Sequence, residues 1–285
     1  MKTIFLAIYK GVKFVLGGHG MRRFHLIKAL EDFVREHIKS DSIIIHGHKM
    51  FLDSKDSLGL SIYGVYEENE TEFINKEVKV GDIVLDIGAN IGYHTLIFAK
   101  LVGENGKVFA FEPDPTSFDL LERNVRNNGY KNVVLINKAV AEKSGRLKLF
   151  LSEDNLADHR IYDSQDGRNF IEIESVRLDD YFKDFSGKIN FIKMDIEGSE
   201  YGAVKGMFDL LKKTENVKII SEFWPFGLRR SGVEPAEYLE VLRTYGLSFY
   251  EFNEKEKKLD AVDVAKLLKT YTVEKENHTN LLCLN

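Results

Sequence analysis

Cysteine is nearly absent from this sequence, which contains only Cys283 among its 285 residues. A single thiol excludes an intrachain disulfide and any structural zinc site that needs two or more thiolates. So little cysteine is typical of a protein in a reducing compartment. The four prolines do not cluster into a linker, and the sequence has no internal repeat. We therefore expect a globular protein of the cytoplasm.

Long hydrophobic runs are also absent. The longest early run, residues 3–9, is far shorter than the ~20 residues that a membrane-spanning helix needs. No small-residue cleavage site follows it. We therefore expect neither a transmembrane segment nor a secretory signal.

Positive charge is in slight deficit, with 40 Lys and Arg against 45 Asp and Glu and a formal net charge of -5. No global positive field is available to hold a nucleic-acid backbone, so no nucleic-acid partner is expected. The start of the chain is a local exception, because no acid precedes Glu31. Apolar residues at helical spacing there predict an amphipathic helix that packs on the main domain. The alternative is a peripheral contact with an anionic membrane surface.

The pattern divides the chain into two parts. Residues 1–77 are predicted to form a helical segment and a β-hairpin lead-in packed on the core, with short extended runs at residues 42–45 and 59–66. Residues 78–285 are predicted to form the main domain, interrupted by an insertion of extended structure at about residues 141–178.

Within the main domain, short apolar runs bounded by turn residues alternate with helical periods. This alternation predicts βαβ units in an α/β, doubly wound, mostly parallel sheet. Runs this apolar suit strands that are covered on both faces. Two further strands near the C terminus imply an antiparallel member at the sheet edge. The predicted strands lie in residues 83–86, 108–112, 133–136, 189–195, 217–222, 248–252 and 280–284.

A glycine-bearing turn follows the first of these strands, in the stretch Asp86-Ile-Gly88-Ala-Asn90-Ile-Gly92. In a doubly wound sheet such a turn lies at the carboxyl edge, where ligands bind. A dinucleotide fingerprint would need glycines at 88, 90 and 93, and the last two of these positions are Asn and Tyr. The Asp86 carboxylate would also repel a pyrophosphate and favour a ligand with an ammonium group. The turn therefore argues against an oxidoreductase that binds NAD.

The second strand of the domain ends in Glu112, followed by Pro113. A carboxylate at that strand end can accept hydrogen bonds from both hydroxyls of a ribose. A ribose joined to an amino acid indicates S-adenosylmethionine as the cofactor.

Three motifs together carry a family resemblance: residues 86–92, the Phe-Glu-Pro of residues 111–113, and the Lys-Met-Asp-Ile-Glu-Gly of residues 193–198. In this order they resemble the FkbM family of class I S-adenosylmethionine-dependent methyltransferases, over most of the chain from about Gly47. The resemblance implies a Rossmann-like sheet of seven strands with the last strand inserted antiparallel. It also implies an enzyme whose methyl acceptor is a hydroxyl on a sugar, glycan or other small metabolite.

The resemblance also implies the cofactor-binding residues. Asp86, Gly88, Asn90 and Gly92 are placed around the methionine part, and Glu112 with Pro113 is placed at the ribose. Just past the third strand, Ala139 and Val140 approach the adenine, and Asp195 follows the fourth strand.

Removing the proton of an acceptor hydroxyl requires a base or a divalent cation. Asp195 and Glu222 end the fourth and fifth strands, and His159 lies in the polar loop of the insertion, so we take these three as the candidate catalytic residues. Carboxylates in these places could also hold Mg²⁺, with Glu197 nearby. Two carboxylates rarely define a metal site, so the sequence assigns no metal ligand.

The alternative function is a catalytically inactive module that keeps the cofactor fold and docks on a partner or a membrane surface. The intact set of Asp86, Gly88, Gly92 and Glu112 argues against such degeneration. We therefore predict an S-adenosylmethionine-dependent methyltransferase with a small-molecule or glycan acceptor.

Overall fold

The computed structural model describes residues 40–253 and 258–285. The described residues fall into two compact units, with the boundary between Tyr66 and Glu67. The predicted N-terminal helix and its predicted membrane contact fall on residues 1–39 and lie outside the described residues. The predicted boundary after residue 77 lies at the far end of a helix that belongs to the second unit.

A β-hairpin is the main element of the described part of the first unit. Strand β1 (Ser42–Ile45) pairs antiparallel with β2 (His48–Phe51). Between the strands, His46 and Gly47 have φ of 50° and 84°. Two consecutive residues with positive φ form the tight turn that matches the twist of paired strands.

The prediction of a second extended run at residues 59–66 is wrong. Instead, residues Leu60–Tyr63 form a single helical turn, α1, bounded by Gly59 and Gly64. Both glycines adopt the left-handed conformation, with φ of 66° and 71°. Glycine takes up this conformation readily, so the two glycines bound the turn.

The second unit contains the main sheet and its helices. In chain order its elements are α2 (Glu68–Glu77), β3 (Ile83–Ile87), α3 (Tyr93–Val102), β4 (Lys107–Phe111), α4 (Pro115–Asn127), β5 (Val133–Ile136), β6 (Ala139–Val140), β7 (Gly145–Phe150), β8 (Phe170–Val176), α5 (Leu178–Tyr181), β9 (Phe191–Met194), α6 (Glu200–Gly206), α7 (Phe208–Lys213), β10 (Lys218–Phe223), α8 (Pro225–Arg230), α9 (Pro235–Arg243), β11 (Ser248–Asn253), β12 (Lys258–Ala261), α10 (Val264–Thr270) and β13 (Thr279–Leu284).

The main sheet has the strand order β12–β11–β13–β10–β9–β3–β4–β5. The five strands from β10 to β5 are parallel, whereas β13 lies antiparallel between β10 and β11. This confirms the Rossmann-like sheet and its inserted antiparallel last strand. The sheet differs from the prediction by an eighth strand, β12, which pairs antiparallel with β11 at the edge.

Side chains on both faces of the central strands are buried. In β3, β4 and β10 every residue after the first is buried, and in β9 all four are. Because successive side chains of a strand point to opposite faces, continuous burial means that both faces are covered. The ends of these strands are therefore held rigidly.

A second, three-stranded sheet has the order β6–β8–β7. Strand β8 pairs antiparallel with β7 and parallel with the short β6, which directly follows β5 in the chain. A small apolar cluster of Ala139, Leu149 and Ile173 holds this sheet together. The extended structure between the third and fourth parallel strands thus begins beside the carboxyl edge of the main sheet.

Helix boundaries follow local sequence signals. Asp114 caps α4, since its Oδ2 accepts a hydrogen bond from the backbone N–H of Ser117 at 2.8 Å, and Pro115 is the first helical residue, as the sequence predicts. The single helix predicted over residues 200–213 is instead α6 and α7, separated at Met207. None of the helices in residues 40–253 and 258–285 is long and apolar enough to cross a bilayer.

The turn after β3 lies directly against the end of β9. Gly88 has a φ of 81°, and a Cβ atom added there would lie 1.9 Å from the carbonyl oxygen of Asp195. The backbone N–H of Gly88 also donates a hydrogen bond to the carbonyl of Phe111 at the end of β4. Any side chain at position 88 would therefore separate three neighbouring strand ends.

We expect Gly88→Ala to lower the free energy of unfolding by more than Gly129→Ala does. Both glycines have positive φ, 81° and 74°, so both variants incur the ~1–2 kcal/mol of the left-handed conformation. Only Gly88 faces a backbone atom, since nothing lies within 4 Å of a Cβ at Gly129. Urea unfolding of the two variants measures the difference. Equal losses would contradict the close approach of the β3 turn to Asp195.

Candidate active site

A pocket lies at the carboxyl edge of the parallel strands. Of the residues that the sequence analysis assigned to cofactor or catalysis, Gly88, Asn90, Glu112, Pro113, Ala139, Val140, His159 and Asp195 line it. Turns after three adjacent parallel strands, β4, β3 and β9, meet there, which is where ligands bind in open α/β sheets. Asp86, Gly92 and Glu222 are not among the lining residues.

The Glu112 carboxylate joins two of these turns. Its Oε2 accepts a hydrogen bond from the backbone N–H of Asn90, and its Oε1 accepts one from the N–H of Asp114, both at 2.8 Å. Asn90 has a φ of 49°, in the left-handed region, within the turn after β3. Burial raises the pKa of Glu112 to about 8, although both hydrogen bonds favour the ionised form.

Asp86 and Gly92 lie behind the pocket wall. The Asp86 side chain is only 1% exposed, and the hydroxyl of Thr95 donates a hydrogen bond to its Oδ2 at 2.5 Å. Burial raises the pKa of Asp86 to about 6. Gly92 has a φ of 92°, and a Cβ there would lie 2.7 Å from Leu121 of α4. The structure thus places Asp86 beneath the turn and Gly92 at the contact between α3 and α4.

One wall of the pocket is apolar. The insertion contributes side chains that the sequence analysis did not single out, from β7 and from the loop that follows it. The alternation of residues 146–151 was a signal for Leu149, whereas the lining residues of the loop follow no such pattern. The apolar lining residues of this wall are Ala139, Val140, Leu149, Leu156, Ala157 and Ile161.

His159 holds the insertion loop against the end of β4. Its Nδ1 accepts a hydrogen bond from the backbone N–H of Ser152 at 3.0 Å, and its Nε2 lies 4.0 Å from Oδ2 of Asp114. Burial lowers the pKa of His159. The neighbouring Arg160 stacks on the ring of Trp224, with its guanidinium carbon 4.8 Å from the ring centroid.

A carboxylate cluster, formed by Asp195, Glu197 and Glu222, lies beside the pocket. One carboxylate oxygen of each residue lies within 4.8 Å of those of the other two. Asp195 and Glu197 line the pocket, and Glu222 is behind them, only 8% exposed. Burial, reinforced by the neighbouring acids, raises the pKa of both Glu197 and Glu222 well above its usual value.

Lys193 is a buried cation next to this cluster. Its Nζ lies 3.1 Å from Oδ2 of Asp195 and 3.6 Å from Oε2 of Glu67. Burial works against the charge of Lys193, but the surrounding carboxylates hold its pKa well above the usual value. The amide of Asn280 donates hydrogen bonds to both Glu67 and Glu70. Sequence analysis missed this network, although a lysine inside the apolar β9 run was a signal for it.

The loop that carries Glu197 is fixed from both sides. Glu197 has a φ of 56°, and the hydroxyl of Tyr162 donates a hydrogen bond to its carbonyl at 2.8 Å. The Glu200 carboxylate accepts hydrogen bonds from the backbone N–H of Ile196 at 3.1 Å and of Gly198 at 3.2 Å. Burial raises the pKa of Glu200 to about 7. Glu200 therefore closes the loop, and the Glu197 side chain is left for the cluster.

Comparison with known families agrees with the three sequence motifs. A family model described as the Methyltransferase FkbM domain matches residues 86–249. A second model, described as protein-L-isoaspartate(D-aspartate) O-methyltransferase, matches residues 26–141.

Individual relatives are more distant. The chain is 28% identical to hexuronic acid methyltransferase AglP of Haloferax volcanii over 186 residues, covering 64% of this chain and 70% of that protein. It is 38% identical to protein-L-isoaspartate O-methyltransferase of Methanococcoides burtonii over 60 residues, covering 21% of this chain and 30% of that protein. The solved structure of methyltransferase FkbM from Methylobacillus flagellatus KT is 15% identical, with a TM-score of 0.44, covering 81% of this chain and 53% of that one.

The FkbM model spans more than half of the sequence and includes the turns after β3, β4 and β9. The chain therefore belongs to the FkbM family and is an S-adenosylmethionine-dependent methyltransferase.

Proposed function

We propose that the enzyme methylates a hydroxyl group on a sugar, a glycan or another small hydroxylated metabolite. One observation carries this proposal: Glu112, the apolar wall and two members of the carboxylate cluster line the same pocket. In this proposal the cofactor site and the candidate bases lie side by side. The similarity to a hexuronic acid methyltransferase supports a sugar acceptor.

The lining residues fit the chemical parts of S-adenosylmethionine. Glu112 accepts the ribose hydroxyls, and Pro113 lies beside it. The apolar wall, with Ala139 and Val140, contacts the adenine, while Gly88 and Asn90 present backbone to the methionine part. In this proposal Asp86 and Gly92 act indirectly, because they shape the turn that carries Gly88 and Asn90.

The cofactor supplies a methyl group on a positively charged sulfur. The protein positions the acceptor oxygen in line with it and removes the hydroxyl proton. Asp195 is the proposed base, since it lines the pocket and its Oδ2 is held by Lys193 at 3.1 Å. Glu222 stands behind it as a second carboxylate. His159 already accepts a hydrogen bond through Nδ1, so we assign it to holding the loop over the pocket.

Calorimetric titration with S-adenosylmethionine and S-adenosylhomocysteine, with NAD as the control, tests the cofactor. We expect saturable one-to-one binding of the first two and no binding of NAD. Transfer of a labelled methyl group to a panel of sugars, glycosides and polyols then tests the acceptor. Cofactor binding without transfer to any acceptor would instead favour the inactive docking module.

We expect Glu112→Gln to weaken S-adenosylmethionine binding by roughly 10–100-fold, the effect of losing hydrogen bonds to a charged group. Ribose hydroxyls donate to the ionised carboxylate, so binding lowers a pKa that burial has raised to about 8. Affinity in the parent protein therefore rises as the pH increases toward about 8 and then levels off. Calorimetry between pH 6 and 9 measures this slope, which the variant lacks.

The control for this experiment is Glu122→Gln. Glu122 lies on α4 and is ion-paired with Arg126 on the surface at 2.9 Å, so its variant keeps both the affinity and the slope. Thermal denaturation shows whether the Glu112→Gln protein is folded. If the folded variant binds the cofactor as tightly as the parent protein does, Glu112 is not part of the cofactor site.

We expect Asp195→Asn to lower turnover by about 10²–10⁴-fold, the usual contribution of a general base, with cofactor affinity changed only a few-fold. Steady-state transfer and calorimetry on the same sample separate the two effects. Asp154→Asn is the matched control, because Asp154 is exposed in the insertion loop. Unchanged turnover in Asp195→Asn would remove Asp195 from the proposed proton transfer.

A further inference from the structure

The carboxylate cluster has the ligand chemistry of a hard cation site. Asp195 follows β9, Glu197 lies two residues later, and Glu222 lies on the adjacent strand β10. Each offers one oxygen, and these atoms lie within 4.8 Å of one another. Opposite oxygens around Mg²⁺ are about 4.2 Å apart, twice the ~2.1 Å bond length. Small side-chain rotations therefore bring the three oxygens into range of one ion.

One carboxylate oxygen of the cluster, Oε2 of Glu222, has no hydrogen-bond partner among the described residues. The residue is 8% exposed. Buried carboxylate oxygens are almost always hydrogen-bonded, paired or bound to a metal. Asn280 faces Glu222 across β10 and β13, but its amide donates to Glu67 and Glu70 instead.

The charge balance at this edge also favours a cation. Lys193 contacts Oδ2 of Asp195 and also lies near Glu67. Neither Glu197 nor Glu222 forms an ion pair with a basic side chain of the described residues. Because Lys193 contacts one oxygen of Asp195, the second oxygen of that carboxylate is free to contribute to the cluster.

We propose that Asp195, Glu197 and Glu222 bind one divalent cation of the Mg²⁺ or Mn²⁺ class at the edge of the pocket. Mg²⁺ takes six oxygen ligands and usually keeps several waters. Three protein ligands leave positions open toward the pocket, because Asp195 and Glu197 line it. An acceptor hydroxyl in such a position is more acidic and is fixed in place. Binding of the cation does not depend on the proposed function, whereas its role in orienting the acceptor rests on it.

Titration of the chelator-treated full chain with Mg²⁺ by calorimetry, and with Mn²⁺ by electron paramagnetic resonance, tests the site without cofactor or acceptor. We expect saturable one-to-one binding that is at least about tenfold weaker in Glu222→Gln, since loss of a supporting group alone costs about 10–100-fold in metal affinity. Glu197→Gln gives a second test. Glu197 is partly exposed, so this substitution disturbs the fold less than replacement of the buried Glu222 does. Glu122→Gln is the matched control for Glu197→Gln, because Glu122 is also partly exposed but lies on α4, outside the cluster. We expect it to keep its affinity for both metals.

Two results would overturn the site: no saturable binding by the parent protein at millimolar metal, or equal affinity in the parent, Glu222→Gln and Glu197→Gln proteins. Thermal denaturation identifies any variant that has lost its fold. A separate methyl-transfer assay with and without a chelator tests the role in the reaction. Transfer that survives complete chelation would overturn that role, while absence of transfer under both conditions would count against the proposed function and leave the metal titration to decide the site.

Discussion

The buried ammonium group of Lys193 sets the electrostatics of the carboxyl edge. It lies inside a parallel sheet, where an unpaired charge would be strongly destabilising, and its contacts with Asp195 and Glu67 offset this cost. The same contacts fix the orientation of Asp195 at the pocket. One ammonium group does not balance the acids around it, since neighbouring carboxylates add to burial in raising the pKa of both Glu197 and Glu222. The edge is consequently complementary to a positively charged ligand, whether a sulfonium or a metal ion.

Backbone contacts connect the two halves of the pocket. Glu112 receives hydrogen bonds from the turns after both β3 and β4, and Gly88 of the first turn lies against the carbonyl of Asp195. A shift of one strand end is therefore transmitted to its neighbours. Because the central strands are buried on both faces, these ends have little freedom to move. The pocket is thus largely formed before any ligand enters, which reduces the ordering cost of binding.

Much of this architecture could be read from the sequence, because apolar runs bounded by turns give the strands and Asp114 with Pro115 gives the start of α4. The strand-end acids could also be found, since the carboxyl ends of parallel strands meet at one edge. What sequence could not provide was side-chain direction and long-range partnership. Asp86 lies beneath the turn, where its carboxylate accepts a hydrogen bond from the Thr95 hydroxyl. Glu67 forms an ion pair with Lys193, although the two residues are far apart in the sequence. The wrong prediction at residues 59–66 had another cause. A run this short shows too little hydrophobic periodicity to distinguish a strand from a helix, and the two flanking glycines bound a helical turn instead.

The acidic character of the pocket also matches the charge change of the proposed reaction. Transfer of a methyl group from a sulfonium to an alcohol yields a thioether, an ether and one proton, so one positive charge disappears from the cofactor while the proton must be accommodated. If the Asp195 carboxylate accepts it, that side chain becomes neutral in the step in which the cofactor loses its charge. The charges of the cofactor and of Asp195 are then both neutralised in the same step, and the ammonium group of Lys193 keeps its ion pair with Glu67. A base held by Lys193 at 3.1 Å suits this step, because its carboxylate is positioned at the pocket before the acceptor arrives.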